Sequence, residues 1–597
     1  MELNNDNENI YRIRHSLAHI LAQAVLQIQP DAELGFGPPI DTGFYYDFRL
    51  SEPLAPEDLN KIEKKMKKII KSNQPFEQYD LAVDETCDYL KEHNQPLKAE
   101  YAQELGVLNP KLSFFKNGPF VDMCEGPHVE KTRDIPMDCF KLDSIAGSYW
   151  RGDSDKPMLT RIYGLAFETK EQLQEFLEER KLAQERDHRK LGKELDLYTM
   201  DDEVGLGLPL WLPNGTVLRD ELENFAKDVE FQAGYQRVAT PHITKENLYY
   251  TSGHLPYYKD TMYSPIEIDG ENYYLKPMNC PHHHKIYASR MRSYRDLPLR
   301  MAEYGTCYRY EHSGSLSGLL RVRALAMNDA HIYCTEEQVR EEFKDVLKMH
   351  QDYYEKFRIK KYWVRLSLHA RDENKFIDSE DRWQFAEGIV RDCLEELEIP
   401  YKAEEGEAAF YGPKVDFQIR NVIGREETAS TNQLDFAVAQ RFDLKYTGED
   451  GKEHEPYIIH RAPLGTHERF IAFLIEHFGG AFPTWLAPVQ VRIVPVAEAF
   501  FEYGEELKTT FFQNGFRVEL DNGSDKFGKK IRNAITRKIP NILIIGEKEM
   551  QERSITWRRY CKKEQVSMAF DDFLKLLVRM RDDRFMDNFE DLDLPTQ

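Results

Sequence analysis

The sequence predicts an α+β protein of several domains, and three features carry that prediction. At 597 residues the chain exceeds the length at which a single core stops growing, about 250–300 residues, so three or four domains are expected. The middle of the chain holds apolar runs, YWVRLSL (Tyr362–Leu368), AAFYGPKVDFQI (Ala408–Ile419) and NQLDFAV (Asn432–Val438). They read as strands without the strand-helix alternation of a parallel nucleotide-binding sheet. From Leu486 the pattern changes: VQVRIVPV, a helix through Phe512, FRVEL, a basic helix from Lys526, NILIIG, SITWRRY and a last helix from Phe570 follow one another. That order is strand-helix-strand-helix-strand, an α/β unit.

Composition excludes several classes. The chain is 41% hydrophobic and 31% charged, contains no long apolar run and opens on the polar MELNNDNEN, so neither a membrane span nor a signal peptide is expected and the location should be cytoplasmic. Eight scattered cysteines without CxxC spacing argue against a disulfide framework. The net charge of -23 is unfavourable for a nucleic-acid partner, but Lys526 to Lys563 is strongly basic and Asp582 to Asp593 acidic, which fits local RNA docking on an otherwise acidic body.

Taken in order, Tyr11 to Ile28 forms a helix with an apolar stripe of Ile13, Leu17, Ile20, Leu21, Ala24 and Ile28. His15 and His19, four apart, fall on the opposite face, away from the core, as surface residues or as a site. Lys170 to Tyr198 reads as a charged spacer helix. Leu218 to Ile243 reads as a long helix followed by a strand containing Pro241. Glu303 to Cys334 reads as a hairpin: a strand carrying Arg309 and Glu311, a Gly/Ser turn, and a return strand holding Arg321 and Arg323 and ending at His331. Guanidinium groups make forked hydrogen bonds to phosphate oxygens, so such a hairpin suits a nucleotide. Neither GxxxxGK[ST] nor GxGxxG occurs, so ATP would be held by side chains on an antiparallel sheet.

TCYRYE within that hairpin is similar to the second signature of class II aminoacyl-tRNA synthetases, and LGTHERF (Leu464–Phe470) to the third. LKPMNCPHH (Leu275–His283), NDAHIYC (Asn328–Cys334) and IIHRAPLGTHERF (Ile458–Phe470), in that order, resemble bacterial threonyl-tRNA synthetases. RHSLAH, GFYYDF, DMCEGPHV and SYWRGDSDKPMLTRIYG resemble that family's editing domain; Leu218 to Ile243 resembles the class II dimerisation signature. The resemblance implies an α+β editing domain (1–169), a linker helix (170–199), a class II antiparallel-sheet catalytic domain (200–484) and an α/β anticodon-binding domain (485–597). The family's small N-terminal ubiquitin-like domain is expected to be missing, because only about a dozen residues precede the first helix.

The same resemblance implies roles. Threonine is activated with ATP and Mg²⁺, transferred to tRNA(Thr), and mischarged seryl-tRNA is hydrolysed. Arg309 bridges the α-phosphate and the amino-acid carboxylate, Arg469 holds the adenine and γ-phosphate end, and Glu311 and Arg321 support the nucleotide. Cys280, His331 and His460 hold one zinc ion per subunit, with Asp329, Tyr411 and Gln433 around the substrate. His15, His19, Cys124 and His128, with Lys98 and Asp122 as polar neighbours, form the editing site; the cysteine and three histidines would also suit zinc. Arg532, Lys538, Glu549 and Arg558 read the anticodon, and the chain is a homodimer. Departures are Met327 and Thr428, where relatives have Gln, Ser524 in place of a frequent Asn, and Lys538 in place of a common Arg. These departures motivate an alternative, a catalytically silent paralogue that binds tRNA or amino acid for regulation. A metallohydrolase built on HxxxH leaves most of the chain unexplained.

Overall fold

The computed structural model describes residues 5–153, 155–370, 376–420, 426–560 and 562–589. The chain divides into two compact units, Met1–Lys181 and Leu182–Gln597. Among the described residues no helix is long and apolar enough to cross a membrane.

In the first unit the helix Asn5–Leu26 packs Ile13, Leu17, Ile20, Leu21 and Ala24 against Phe44, Tyr46 and Phe48 of the strand Gly43–Arg49. That strand lies in a five-stranded antiparallel sheet with Phe140–Tyr149 and Met158–Ala166. Two expectations change here. Ile28 lies beyond the helix and is 38% exposed, while His15 and His19, expected to face away from the core, are buried. A second, three-stranded sheet (Phe76–Ala82, Lys111–Asn117, Phe120–Met123) supplies the reason. The His19 ring lies edge-on to Phe120 at 5.5 Å, so the polar stripe of the helix is covered rather than solvated.

The second unit is built on an eight-stranded sheet in the order Gln236–Arg237, Leu299–Tyr308, Ala324–Cys334, Tyr457–Ala462, Glu426–Asp435, Lys414–Arg420, Tyr362–Leu368, Tyr401–Glu405. Its body is antiparallel; only the outermost pair at each edge is parallel. The predicted strand Tyr362–Leu368 is observed with those bounds, whereas Ala408 to Pro413 lies outside the strand Lys414–Arg420 and Pro241 precedes a short strand, Ile243–Lys245. The expected arginine hairpin is also corrected. Pairing stops at Tyr308↔Ala324, so Arg309, Glu311, Arg321 and Arg323 occupy the long connection between the strands. A single turn of 3-10 helix, Ser313–Ser315, and one bridge, Ser317↔Arg321, use the Gly/Ser residues read as a tight turn.

The C-terminal sheet has the order Val518–Leu520, Val491–Pro495, Asn541–Ile545, Ser554–Arg559, Gln565–Ala569, its first three strands parallel and the last two antiparallel. The helices Phe501–Gln513 and Phe570–Asp582 cover one face through Leu507, Phe511, Phe573 and Leu577. The helix Phe527–Thr536 covers the other, packing Ile531, Ala534 and Ile535 on Val494 and Ile542. The strand Gln565–Ala569 and the short helix Glu547–Glu552 were not foreseen. A polar seam joins this sheet to the rest of the unit. Asn541 donates to Thr484 Oγ1 at 2.8 Å, and Thr484 donates to Asp587 through its backbone at 2.9 Å and its hydroxyl at 2.7 Å.

Behind the eight-stranded sheet, Glu230 of the helix Pro213–Gln232 pairs with Arg461 at 2.7 Å and accepts from Asn328 at 2.9 Å and Tyr304 at 2.6 Å. Arg461 lies over the Tyr235 ring at 4.2 Å, and both charges are no more than 1% exposed. Removing one partner of such a pair strands the other, so Glu230→Ala is expected to cost this unit about 3–5 kcal/mol. Denaturant unfolding checks this; a change within about 0.5 kcal/mol, typical of surface sites, would show that the pair contributes little.

Candidate functional site

One cavity of about 270 Å³ opens on the face of the eight-stranded sheet opposite Glu230. Its lining contains Cys280, Arg309, Glu311, Arg321, Asp329, His331, Tyr411, Gln433, His460 and Arg469, every residue nominated for activation or zinc. Strand register explains the convergence. His331↔His460 and Gln433↔His460 are cross-strand partners, which sets three side chains in a row, and the period of two along one strand adds Asp329 and Met327 to the face of His331. The His331 and His460 ring centroids are 4.6 Å apart. Cys280 enters from the first residue of the helix Cys280–Ala288, where burial pushes its thiol pKa up.

Each imidazole has one nitrogen already engaged. His460 Nε2 lies 2.9 Å from Asp435. His331 Nδ1 lies 2.8 Å from His283 Nδ1, whose Nε2 is 3.0 Å from Glu303. Lys276 donates to the same carboxylate at 3.2 Å. Burial alone would raise the Glu303 pKa; the hydrogen bond from His283 and the charge of Lys276 bring it down to about 2. Burial drives His331 toward the neutral form, the form that binds metal. Asp435, His283, Glu303 and Lys276 were not assigned roles from the sequence. Lys276 and His283 lie inside LKPMNCPHH and could have been found there; Asp435 carries no signal beyond its alternation with Gln433.

The arginines are fixed by carbonyls. Arg309 Nε donates to Pro277 O at 3.2 Å, with Nη2 3.7 Å from Met327 Sδ. Arg469, in the first turn of the helix His467–Phe478, donates to Leu320 O at 3.0 Å and Thr428 O at 2.9 Å, and burial lowers its pKa. Arg321 and Glu311 pair at 3.6 Å. The two departures are accommodated: Met327 gives Arg309 a soft neighbour, and the Thr428 hydroxyl accepts from Gln418 at 2.8 Å. Tyr411 donates to Gln433, and Asn279 donates to Asp329 at 3.2 Å.

The first unit has its own cavity, about 490 Å³, lined by His15, His19, Lys98, Asp122, Cys124, Tyr46 and neighbouring aromatics. Cys124 Sγ lies 3.1 Å from His15 Nε2 and 3.4 Å from His128 Nε2, and Ser16 Oγ lies 3.1 Å from His128 Nδ1. Ligand atoms of His15, His19, Cys124 and His128 all lie within 4.8 Å of one another. Burial pushes the Cys124 thiol up to about 12 and lowers all three histidines, so the cluster is neutral near pH 7. Beside it Lys98 pairs with Asp122 and donates to Tyr46 Oη at 2.9 Å, while Tyr46 donates to Asp122 at 2.5 Å. Tyr46 was missed although GFYYDF was singled out; the inward period of Phe44 and Phe48 would have selected it.

In the C-terminal sheet Thr556 and Arg558 share the face on which the helix of Arg532 packs, because Arg558↔Ile542 and Thr556↔Ile544 are cross-strand pairs. Glu549 accepts from Thr556 Oγ1 at 2.9 Å and, capping its own helix, from Gly546 N at 2.9 Å. Lys538 stands apart: it is left-handed (φ 56°) and its ammonium donates to Gly479 O.

Residues 263–478 match the family described as tRNA synthetase class II core domain (G, H, P, S and T). Residues 490–580 match the anticodon binding domain, and 112–163 the threonyl and alanyl tRNA synthetase second additional domain. A threonine–tRNA ligase of Geobacillus kaustophilus is 47% identical over 95% of this chain and 87% of its own length. One of an Exiguobacterium species is 48% identical over 95% and 88%. The solved RNA binding domain of threonyl-tRNA synthetase from Cryptosporidium parvum Iowa II superposes with a TM-score of 0.63 at 34% identity, covering 66% of this chain and 98% of that one. Identity of this extent over nearly the whole chain, together with a class II core, an anticodon-binding domain and the second additional domain, means that the chain belongs to the threonine–tRNA ligases, ATP-dependent class II aminoacyl-tRNA synthetases with an editing domain.

Proposed function

We propose that threonine is activated in the cavity of the eight-stranded sheet and that seryl-tRNA is hydrolysed in the cavity of the first unit. The observation that carries the first assignment is the convergence of all ten nominated residues on one cavity. In-line attack of the amino-acid carboxylate on the α-phosphorus of ATP needs alignment and charge stabilisation, not a general base. Arg309 bridges the two reacting groups and Arg469 orients the far end of the nucleotide, with Glu311 and Arg321 supporting it and Mg²⁺ accompanying the leaving pyrophosphate. Threonine-dependent ATP–pyrophosphate exchange tests this reading, and its absence would favour the silent paralogue.

Cys280, His331 and His460 fit a zinc ion: one thiol and two imidazoles line one cavity, and the imidazoles are backed by Asp435 and, through His283, by Glu303. A three-ligand zinc would supply open coordination positions for the amino and hydroxyl groups of threonine. Asp329, buried and positioned by Asn279, orients the hydroxyl, and valine, which lacks it, is rejected by about 10⁴-fold or more. His331→Ala is expected to lose zinc and pyrophosphate exchange together; metal analysis showing unchanged zinc with unchanged exchange would remove the assignment.

Serine differs from threonine by one methyl group, worth roughly 10–200-fold, so a second site is required. His15, His19, Cys124 and His128 orient water on the ester, with Lys98, Asp122 and Tyr46 holding the wall beside them. His15→Ala/His19→Ala is expected to stop deacylation of preformed seryl-tRNA while threonine activation persists; wild-type deacylation would exclude these histidines. The mutual distances within that cluster also favour a second reading, a metal there. Two zinc equivalents per chain, one lost only in the double variant, would establish it.

Arg532 and Arg558 read the anticodon, with Glu549 beside them. Arg558→Ala is expected to weaken charging by roughly 1–3 kcal/mol while sparing pyrophosphate exchange. Equal loss of both, measured side by side, would overturn it. The enzyme acts on tRNA(Thr) in the cytoplasm as a homodimer; the dimer is supported by Phe231, 82% exposed at the end of the helix Pro213–Gln232 and within the segment resembling the dimerisation signature.

A further inference from the structure

We propose that Lys538 is a positioning residue of the activation site, fastening the far end of the helix that carries Arg469. This rests on the role given to Arg469 above.

The helix His467–Phe478 has twelve residues, about 18 Å of rise, with Arg469 in its first turn and the left-handed Gly479 (φ 57°) closing it. Carbonyls at a helix C-terminus lack intrahelical donors, and cations there are favoured by the dipole. Two cations serve this end. Lys538 donates to Gly479 O, and Arg186 Nη1 donates to His477 O at 3.4 Å. At the opposite end Arg469 is held to Leu320 O and Thr428 O, so its guanidinium is set by the position of the helix as well as by its own rotamer.

Lys538 is suited to this and poorly placed for reading a base. It follows the helix Phe527–Thr536 in a left-handed conformation and is half-buried, and it lines a cavity of about 110 Å³ with Gly480, Glu194 and Asp196. Its neighbour Arg537, which lines the same cavity, is bound by Glu519 at 2.6 and 2.8 Å. A base contact would require the ammonium to abandon Gly479 O. The route from the C-terminal domain to the reacting phosphate is therefore short: Lys538, one carbonyl, one rigid helix, Arg469.

The test uses full-length K538M, which keeps the aliphatic stem, and K538R, which restores a cationic donor, with R469M in parallel. Threonine-dependent pyrophosphate exchange without tRNA, binding of an isolated tRNA(Thr) anticodon stem-loop and the thermal midpoint are measured on each. K538M should raise KM for ATP by about tenfold with stem-loop affinity unchanged and at most a small fall in the midpoint, too small to unfold the enzyme at the assay temperature, because one charge-assisted hydrogen bond is lost, and K538R should recover most of it. Normal exchange with weakened stem-loop binding in K538M would make Lys538 a base reader and overturn the proposal. A fall in midpoint that accounts for the loss of exchange, without rescue by K538R, would reduce Lys538 to a structural residue and overturn it equally. R469M inactive beside a normal K538M would fail the Lys538 proposal alone, whereas active R469M would fail the Arg469 reading itself.

Discussion

The register of three central strands is the constraint on which the catalytic half of the molecule depends. Because side chains alternate, a slip of one residue would send every group on a strand to the other face. The pairs His331↔His460 and Gln433↔His460 set the cleft face, and their neighbours Ala330↔Arg461 and Asn432↔Arg461 set the reverse face. Arg461 pairs with Glu230 there, with both charges sealed from solvent. A slip would break that pair and bury two unpartnered charges, each costing several kcal/mol. The ion pair thus specifies the register that assembles the cleft, although its net contribution to stability over an apolar pair is small.

Both cavities repeat one device. A buried lysine is matched to a buried carboxylate next to histidines, Lys276 with Glu303 behind the first cavity and Lys98 with Asp122 in the wall of the second. Such pairs are expensive to desolvate, and they persist where additional hydrogen bonds occupy the remaining lone pairs. Glu303 accepts from Thr240 as well as from His283, and Asp122 accepts from Tyr46. The histidines beside them are thereby held by groups with no freedom of their own, which is the preorganisation a functional site needs.

Legibility from the sequence followed the range of each physical signal. Strand Tyr362–Leu368 was legible because alternation is local. The convergence of Cys280, His331 and His460 was not readable from spacing at all and came only through likeness of whole segments. The arginine connection was misread because the Gly/Ser residues between Glu311 and Arg321 satisfy a tight turn as well as a long loop. His15 and His19 were placed on the outer face because periodicity within one helix cannot report a second sheet covering it. Asp435, Tyr46 and the anchoring of Lys538 depend on tertiary partners far away in the chain, such as Gly479, 59 residues before Lys538.

Cysteine and histidine line both cavities, so residue type alone does not say which holds a metal, and mutual closeness of ligand atoms favours the first unit. The groups behind the imidazoles argue the other way. In the eight-stranded sheet His460 has Asp435 at 2.9 Å, and His331 is backed by His283, which has Glu303 at 3.0 Å. Carboxylates so placed fix the tautomer and raise the basicity of the nitrogen that faces a metal. In the first unit the nearby acid is spent on Lys98 and Tyr46, and His19 lies 3.7 Å from it. His128 is instead backed by the hydroxyl of Ser16, and Cys124 sits beside neutral rings with its pKa raised to about 12. Burial raises the thiol at both sites, Cys280 as well as Cys124, and neutral imidazoles are the form that binds metal, so what separates the sites is the carboxylate backing. The outer groups thus distinguish the two cavities, carboxylates behind the imidazoles in the eight-stranded sheet and Ser16 with a lysine-bound Asp122 in the first unit, and that difference supports the zinc and hydrolytic roles proposed for them.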